Sequence, residues 1–91
     1  MAEKKNNIKF DIVNKLGVIS EGTKGWRKEV NLVSWNGRPA KLDVRDWNEK
    51  HEKMGRGITL NRAETRALLD ALNQVDLETI TDQARADDAT E

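Results

Sequence analysis

Residues 26–47 read WRKEVNLVSWNGRPAKLDVRDW, two alternating runs joined by an Asn-Gly turn, with a tryptophan at either end and a third at the tip. Val30 and Leu32 keep step in the first run, and Ala40, Leu42 and Val44 do so in the second. A period of two marks a strand with one buried face, so the stretch is expected to form two strands, about residues 26–34 and 39–47. Pro39 is tolerable at a strand start, where no ladder donor is needed. A two-residue Asn36-Gly37 turn would pair Trp35 with Arg38 and mix polar with apolar side chains on both faces. A three-residue loop, Trp35-Asn36-Gly37, pairs Ser34 with Arg38, Leu32 with Ala40 and Val30 with Leu42, with glycine at the left-handed position. The second register is preferred, because a slip of one residue exchanges the two faces. It sets Arg27, Glu29, Asn31, Lys41, Asp43, Arg45 and Trp47 on the face away from the aliphatic core.

Upstream, IKFDIVNKLGVIS (residues 8–20) places Ile8, Phe10, Ile12, Leu16 and Val18 at spacings that fit one buried strand face, with Gly17 a candidate bulge. Downstream, GITL (57–60) reads as a short fourth strand through Ile58 and Leu60. NRAETRALLDALNQV (61–75) reads as a helix, with Asn61 as N-cap, Glu64 completing a capping box, and Leu68, Leu72 and Val75 as its stripe. The expected fold is α+β: a four-stranded antiparallel sheet followed by one C-terminal helix. Leu69 widens the stripe beyond one contact, so Leu68, Leu69 and Leu72 are expected to form a homodimer interface.

At 91 residues the chain is one small domain. It divides into a polar arm (1–7), a β4-α domain (8–75) and an acidic tail (76–91) expected to be disordered. Charged and apolar shares of 35% and 36% fit a folded soluble domain rather than a disordered chain. No apolar run is long enough for a membrane span, the start MAEKKNN is unlike a secretory signal, and a cytoplasmic or nucleoid-associated location is expected. The net charge is zero but unevenly spread. Residues 1–60 carry 13 Lys/Arg against 8 Asp/Glu, a balance of +5, and residues 61–91 carry 3 against 8, a balance of −5. A basic working surface followed by an acidic tail is the expected arrangement, the tail being a candidate contact for another protein.

Enzyme chemistry finds no constellation. With no cysteine and one histidine, His51, thiolate catalysis and the usual zinc sites are excluded, and His51 reads as a solvated loop residue. MGRGIT lacks the spacing of a phosphate loop. No catalytic residue, metal or cofactor is expected. The tryptophans carry the functional signal: Trp26, Trp35 and Trp47 are spaced among Lys and Arg in a chain with one phenylalanine and no tyrosine. Trp35 in a tight turn and Trp47 in step with Arg45 and Lys41 are expected to be exposed. Single-stranded nucleic acid needs such an array, since bases stack on indoles while cations track phosphates.

The segments KGWRKE, SWNG, LDVRDW and KMGRGITL, in this order before a helix, resemble the positive cofactor four transcriptional coactivator family, closest to its bacterial YdbC-like members. The resemblance covers about residues 8–75. It implies a β-β-β-β-α unit that dimerises through its helices and binds single-stranded DNA across paired β-ribbons, with RNA as an alternative strand. By position it implies binding through Trp35, Arg45, Trp47, Lys53 and Arg56. The basic ribbon adds Trp26, Arg27, Lys28, Arg38 and Lys41. Two rival readings use the same residues: a protein-interaction module built on the Trp/Arg face, and a duplex-DNA regulator reading the major groove with a β-ribbon.

Overall fold

The computed structural model describes residues 8–81. The expected arm, 1–7, and the last ten residues of the tail, 82–91, lie outside the described residues. The strands are β1 (Phe10–Glu21), β2 (Arg27–Trp35), β3 (Lys41–Trp47) and β4 (Met54–Leu60), followed by helix α1 (Arg62–Leu72). They form one antiparallel sheet in the order β1-β2-β3-β4, the expected architecture. A single 3₁₀ turn, Leu77–Thr79, follows the helix, with the Asp76 side chain accepting from the Glu78 N–H. This part of the tail has local structure.

The β2–β3 connection differs from the preferred loop. Asn36 and Gly37 both have positive φ, 54° and 76°, and the Arg38 N–H donates to the Trp35 carbonyl at 3.0 Å. These are the marks of the two-residue Asn-Gly hairpin turn. The ladder nevertheless pairs Leu32 with Leu42 and Val30 with Val44, one residue longer than that turn alone would give. An extra residue in the 38–40 stretch, where Pro39 offers no ladder donor, absorbs the difference. The expected pairs, Leu32 with Ala40 and Val30 with Leu42, are therefore displaced by two residues, a slip that keeps the aliphatic side chains on one face.

Strand β1 does not keep its period of two. Its register against β2 shifts between Ile12 and Asn14, between Lys15 and Gly17, and between Val18 and Ser20. Each bulge adds one residue to β1 and bends it. Gly17 borders one of them, as expected, but of the face expected to be buried only Phe10 and Ile12 are partly covered, and Ile8, Leu16 and Val18 are exposed. The sheet curls accordingly. Phe10 pairs with Trp35, and Trp47 pairs with Arg27, positions about 26 Å apart along a straight β2. Yet the Phe10 and Trp47 ring centroids are only 5.1 Å apart.

This curl reverses the expected burial. The face carrying Glu29, Asn31, Val33, Asp43 and Trp47 is the buried one, and Trp47 is 0% exposed. Trp47, expected on a solvated face, is a core residue, packed against Phe10 and 5.5 Å from the His51 ring. The aliphatic face is only partly covered. Helix α1 starts with the expected capping box between Asn61 and Glu64, but it buries none of its residues. Leu68 is half-buried, and Leu69 and Leu72 remain 48% and 56% exposed.

Truncating a fully buried tryptophan removes both its apolar burial and the packing around it. Trp47→Ala is expected to lower stability by about 3–5 kcal/mol, read from urea unfolding. A variant as stable as the parent would contradict the placement of the core.

Candidate nucleic-acid interface

The hairpin turn presents Trp35, half-buried, at one end of the sheet. Its ring lines a groove of about 360 Å³ with Arg38, Lys41, Arg45, Met54 and Thr59 among the walls. Strand β1 secures the turn from below. The Asn36 N–H donates to the Lys9 carbonyl at 2.6 Å, and the Lys9 N–H donates to Asn36 Oδ1 at 2.9 Å. This clamp brings Ile8 and Lys9 beside the site; neither was expected there, and only the pairing of β1 with β2 could have revealed them.

Arg45 holds the ring from the side. Its guanidinium carbon lies 5.1 Å from the Trp35 ring centroid, within cation–π range. Arg45 Nε donates to both carboxylate oxygens of Asp43, at 2.7 and 3.0 Å, and its other nitrogens reach the Gly55 carbonyl and Thr59 Oγ1 at 3.3 Å. The Thr59 hydroxyl donates in turn to Asp43 at 2.9 Å. Asp43 is fully buried, so its charge is compensated by Arg45 at close range, as a buried charge requires. Arg45 is thus a positioning residue for Trp35 rather than an open cation. Gly57 serves the same cluster, since a Cβ there would collide with the Arg45 Cβ and the Val44 carbonyl.

A second polar cluster lies further along the inner face. His51 Nε2 meets both Glu29 carboxylate oxygens, at 2.9 and 3.0 Å, while Asn31 Nδ2 donates to Glu29 at 3.2 Å and Arg27 Nε lies 3.6 Å away. His51 is therefore a structural partner, not the solvated loop residue expected. The sequence offered no signal for it, because the partners are 22 residues apart. Asn48 shapes the loop that delivers it, its side chain accepting from the N–H groups of Glu52 and Lys53. Burial raises the Glu29 carboxyl, but hydrogen bonds from His51 and Asn31 and the charges of His51 and Arg27 outweigh it and hold the group below its usual range.

The ten expected binding residues do not share one surface. Trp35, Arg38, Lys41 and Arg45 come together. Trp26 and Arg27 stand at the opposite end of β2, where Trp26 closes a turn with Gly22 and Thr23. Lys28 and Arg56 lie on the outer face, around a depression that also includes Asp46 and Ile58. Lys53 is exposed at the start of β4, and Trp47 is buried. Among the described residues no helix is long and apolar enough to cross a membrane.

The chain is thus a small curled β4-α sheet with a tryptophan at its hairpin tip and cations beside the ring. The pattern of the family Transcriptional Coactivator p15 (PC4) matches residues 23–71, and the chain belongs to that family, a nucleic-acid-binding, transcription-related group. It is also 41% identical over 73 residues to an uncharacterized protein of Treponema pallidum (strain Nichols), covering 80% of this chain and 86% of the relative.

The Glu29 cluster makes a pH prediction. A carboxyl held low in the folded state stabilises it above the ordinary glutamate range, and that contribution is lost as pH falls through the folded-state value. Urea unfolding between neutral and acid pH is expected to show a steeper loss for the parent than for Glu29→Gln. Parallel losses would contradict the cluster's role.

Proposed function

We propose that the protein binds single-stranded DNA with little sequence preference, stacking bases on Trp35 while Arg38, Lys41 and Lys9 meet the phosphates. The observation that carries this reading is the half-buried indole at the tip of a cation-flanked groove, braced by Arg45. A duplex hides its base faces, whereas single strands offer them, and stacking on an aromatic ring contributes roughly 1–3 kcal/mol per base. Family membership supports the same chemistry. Trp26 forms a second platform at the far end of β2, and RNA presents the same base faces as DNA. The protein acts as a binding module without catalysis, in transcription, replication or repair.

The active form is a homodimer built on the uncovered outer face. Ile58, Leu69, Leu72 and Val75 are all substantially exposed in the single chain, an apolar surface that soluble monomers rarely present. Pairing through the helices covers it and sets two Trp35 grooves in one assembly.

Titration with oligothymidylate is expected to quench tryptophan emission, with Trp35→Ala losing on the order of 1–3 kcal/mol of binding. Affinity should also fall steeply with salt as counterions are released. Unchanged affinity in Trp35→Ala would remove the stacking platform; a flat salt dependence would point to a protein partner instead. Light scattering is expected to report a dimer for the parent and a monomer for Leu72→Glu, since an unpaired charge cannot be buried at that interface without a large penalty. A monomeric parent would contradict the assembly.

A further inference from the structure

A pocket of about 280 Å³ opens on the inner face, between the middle of β1 and the middle of β2. Asn31 and Glu29 line it, 1% and 4% exposed, with His51 beside them. Leu16 and Val18 add an exposed apolar wall, and Lys15 and Arg27 bring positive charge to it. Trp35 stands on the same face of β2, four residues along from Asn31, a distance of about 13 Å in an extended strand.

One polar group in this pocket is left over. Asn31 Nδ2 donates to Glu29 Oε1 at 3.2 Å, but among the described residues no donor meets Asn31 Oδ1. Unlike the indole N–H groups of Trp35 and Trp47, that oxygen is not sealed from solvent, so the little of Asn31 that is exposed opens its acceptor to the pocket. An unmatched acceptor on a side chain this buried calls for a donor. Glu29 has spare capacity beside it. Oε1 takes the Asn31 bond and a His51 contact, whereas Oε2 has only His51 at 3.0 Å and Arg27 Nε at 3.6 Å, beyond hydrogen-bond length. A carboxylate offers about four lone-pair sites, and one on Oε2 remains. Two acceptors therefore lie side by side.

A ligand that complements them carries two adjacent N–H donors on a flat apolar body, with an anion close by. Guanine in a nucleic-acid strand has this form, since its N1–H and its amino group are neighbours on the pairing edge. Adenine and cytosine set a ring acceptor next to the amino group, and thymine holds its one N–H between two carbonyls. Each of these would turn a lone pair toward Asn31 or Glu29. In a duplex the pairing edge is already engaged, so only an unpaired guanine fits.

We propose that the pocket takes one guanine of the bound single strand. The base lies against Leu16 and Val18, its two donors meet Asn31 Oδ1 and Glu29 Oε2, and Lys15 and Arg27 stand beside the neighbouring phosphates. Unstacked bases are read in this manner, by hydrogen bonds to the pairing edge between apolar or aromatic walls. The inference rests on the single-strand binding proposed above and adds one base preference to it. Trp35 stacks any base; the pocket selects.

The test uses the full-length chain and three oligomers of one length: oligothymidylate, the same strand with one central guanine, and the same strand with deoxyinosine at that place. Each displaces a labelled oligothymidylate, read by fluorescence anisotropy. The guanine oligomer is expected to bind roughly fivefold or more tightly than oligothymidylate, the lower end for a bidentate base contact. Deoxyinosine keeps N1–H but lacks the amino group, and is expected to lose most of that gain. Equal affinities for the thymidine and guanine oligomers, or an inosine oligomer as tight as the guanine one, would overturn the pocket and leave single-strand binding standing. No binding of any oligomer would overturn both. In Asn31→Val the ratio of the guanine to the thymidine affinity is expected to fall toward one, and a ratio that survives in the folded variant would overturn the assignment. The inosine comparison is made on the parent chain, so it holds even where that substitution disturbs the core.

Discussion

The contact between Phe10 and Trp47 closes this small sheet on itself, and the rest of the molecule depends on that closure. A four-stranded sheet whose helix α1 buries none of its own residues obtains little core from that helix. Among the described residues the fully buried apolar side chains, Val33 and Trp47, are both on the inner face. For that face to shut out water the sheet must curl, and the three bulges of β1 supply the bend. Ring contacts of 5.1 Å between Phe10 and Trp47 and 6.0 Å between Phe10 and Trp35 then tie the two ends of the hairpin together, at separations where aromatic pairs are favourable.

Closure of this kind traps polar groups, and the chain compensates them in pairs. Asp43 meets Arg45 and Thr59; Glu29 meets His51, Asn31 and Arg27. Not every group is matched: among the described residues the indole N–H groups of Trp35 and Trp47 are shielded from water with no acceptor in reach, at about 1–3 kcal/mol each. The proposed function uses the same arrangement. Because Arg45 is committed to Asp43, it steadies Trp35 instead of searching for phosphate, while Arg38 and Lys41 stay exposed at the groove. In the proposed function the braced ring takes the stacking and the exposed cations take the charge neutralisation.

The alternation in residues 26–47 made the two faces of the central hairpin legible, and the capping box made the helix start legible. Which face would be covered was not legible. A period of two gives parity alone, and the natural assumption buries Val30, Leu32, Leu42 and Val44. The structure buries Trp47, Asn31 and Asp43 instead, because bulges in β1 bend the sheet toward them. Those bulges leave no clear mark in IKFDIVNKLGVIS beyond Gly17, so the curl stayed hidden, and with it the burial of Trp47 and the partnership of His51 with Glu29. Trp35, Arg38 and Lys41 emerged as one groove because they flank the same turn, where short-range sequence suffices.

The central claim is a division among the tryptophans: Trp35 meets the nucleic acid, whereas Trp47 holds the fold. The three indole N–H resonances of the ¹⁵N-labelled protein test it together during titration with a single-stranded oligonucleotide. The account predicts a large shift for Trp35 and a Trp47 signal that barely moves and resists exchange with solvent. A Trp47 resonance that shifts most, or exchanges freely in the unbound protein, would contradict it.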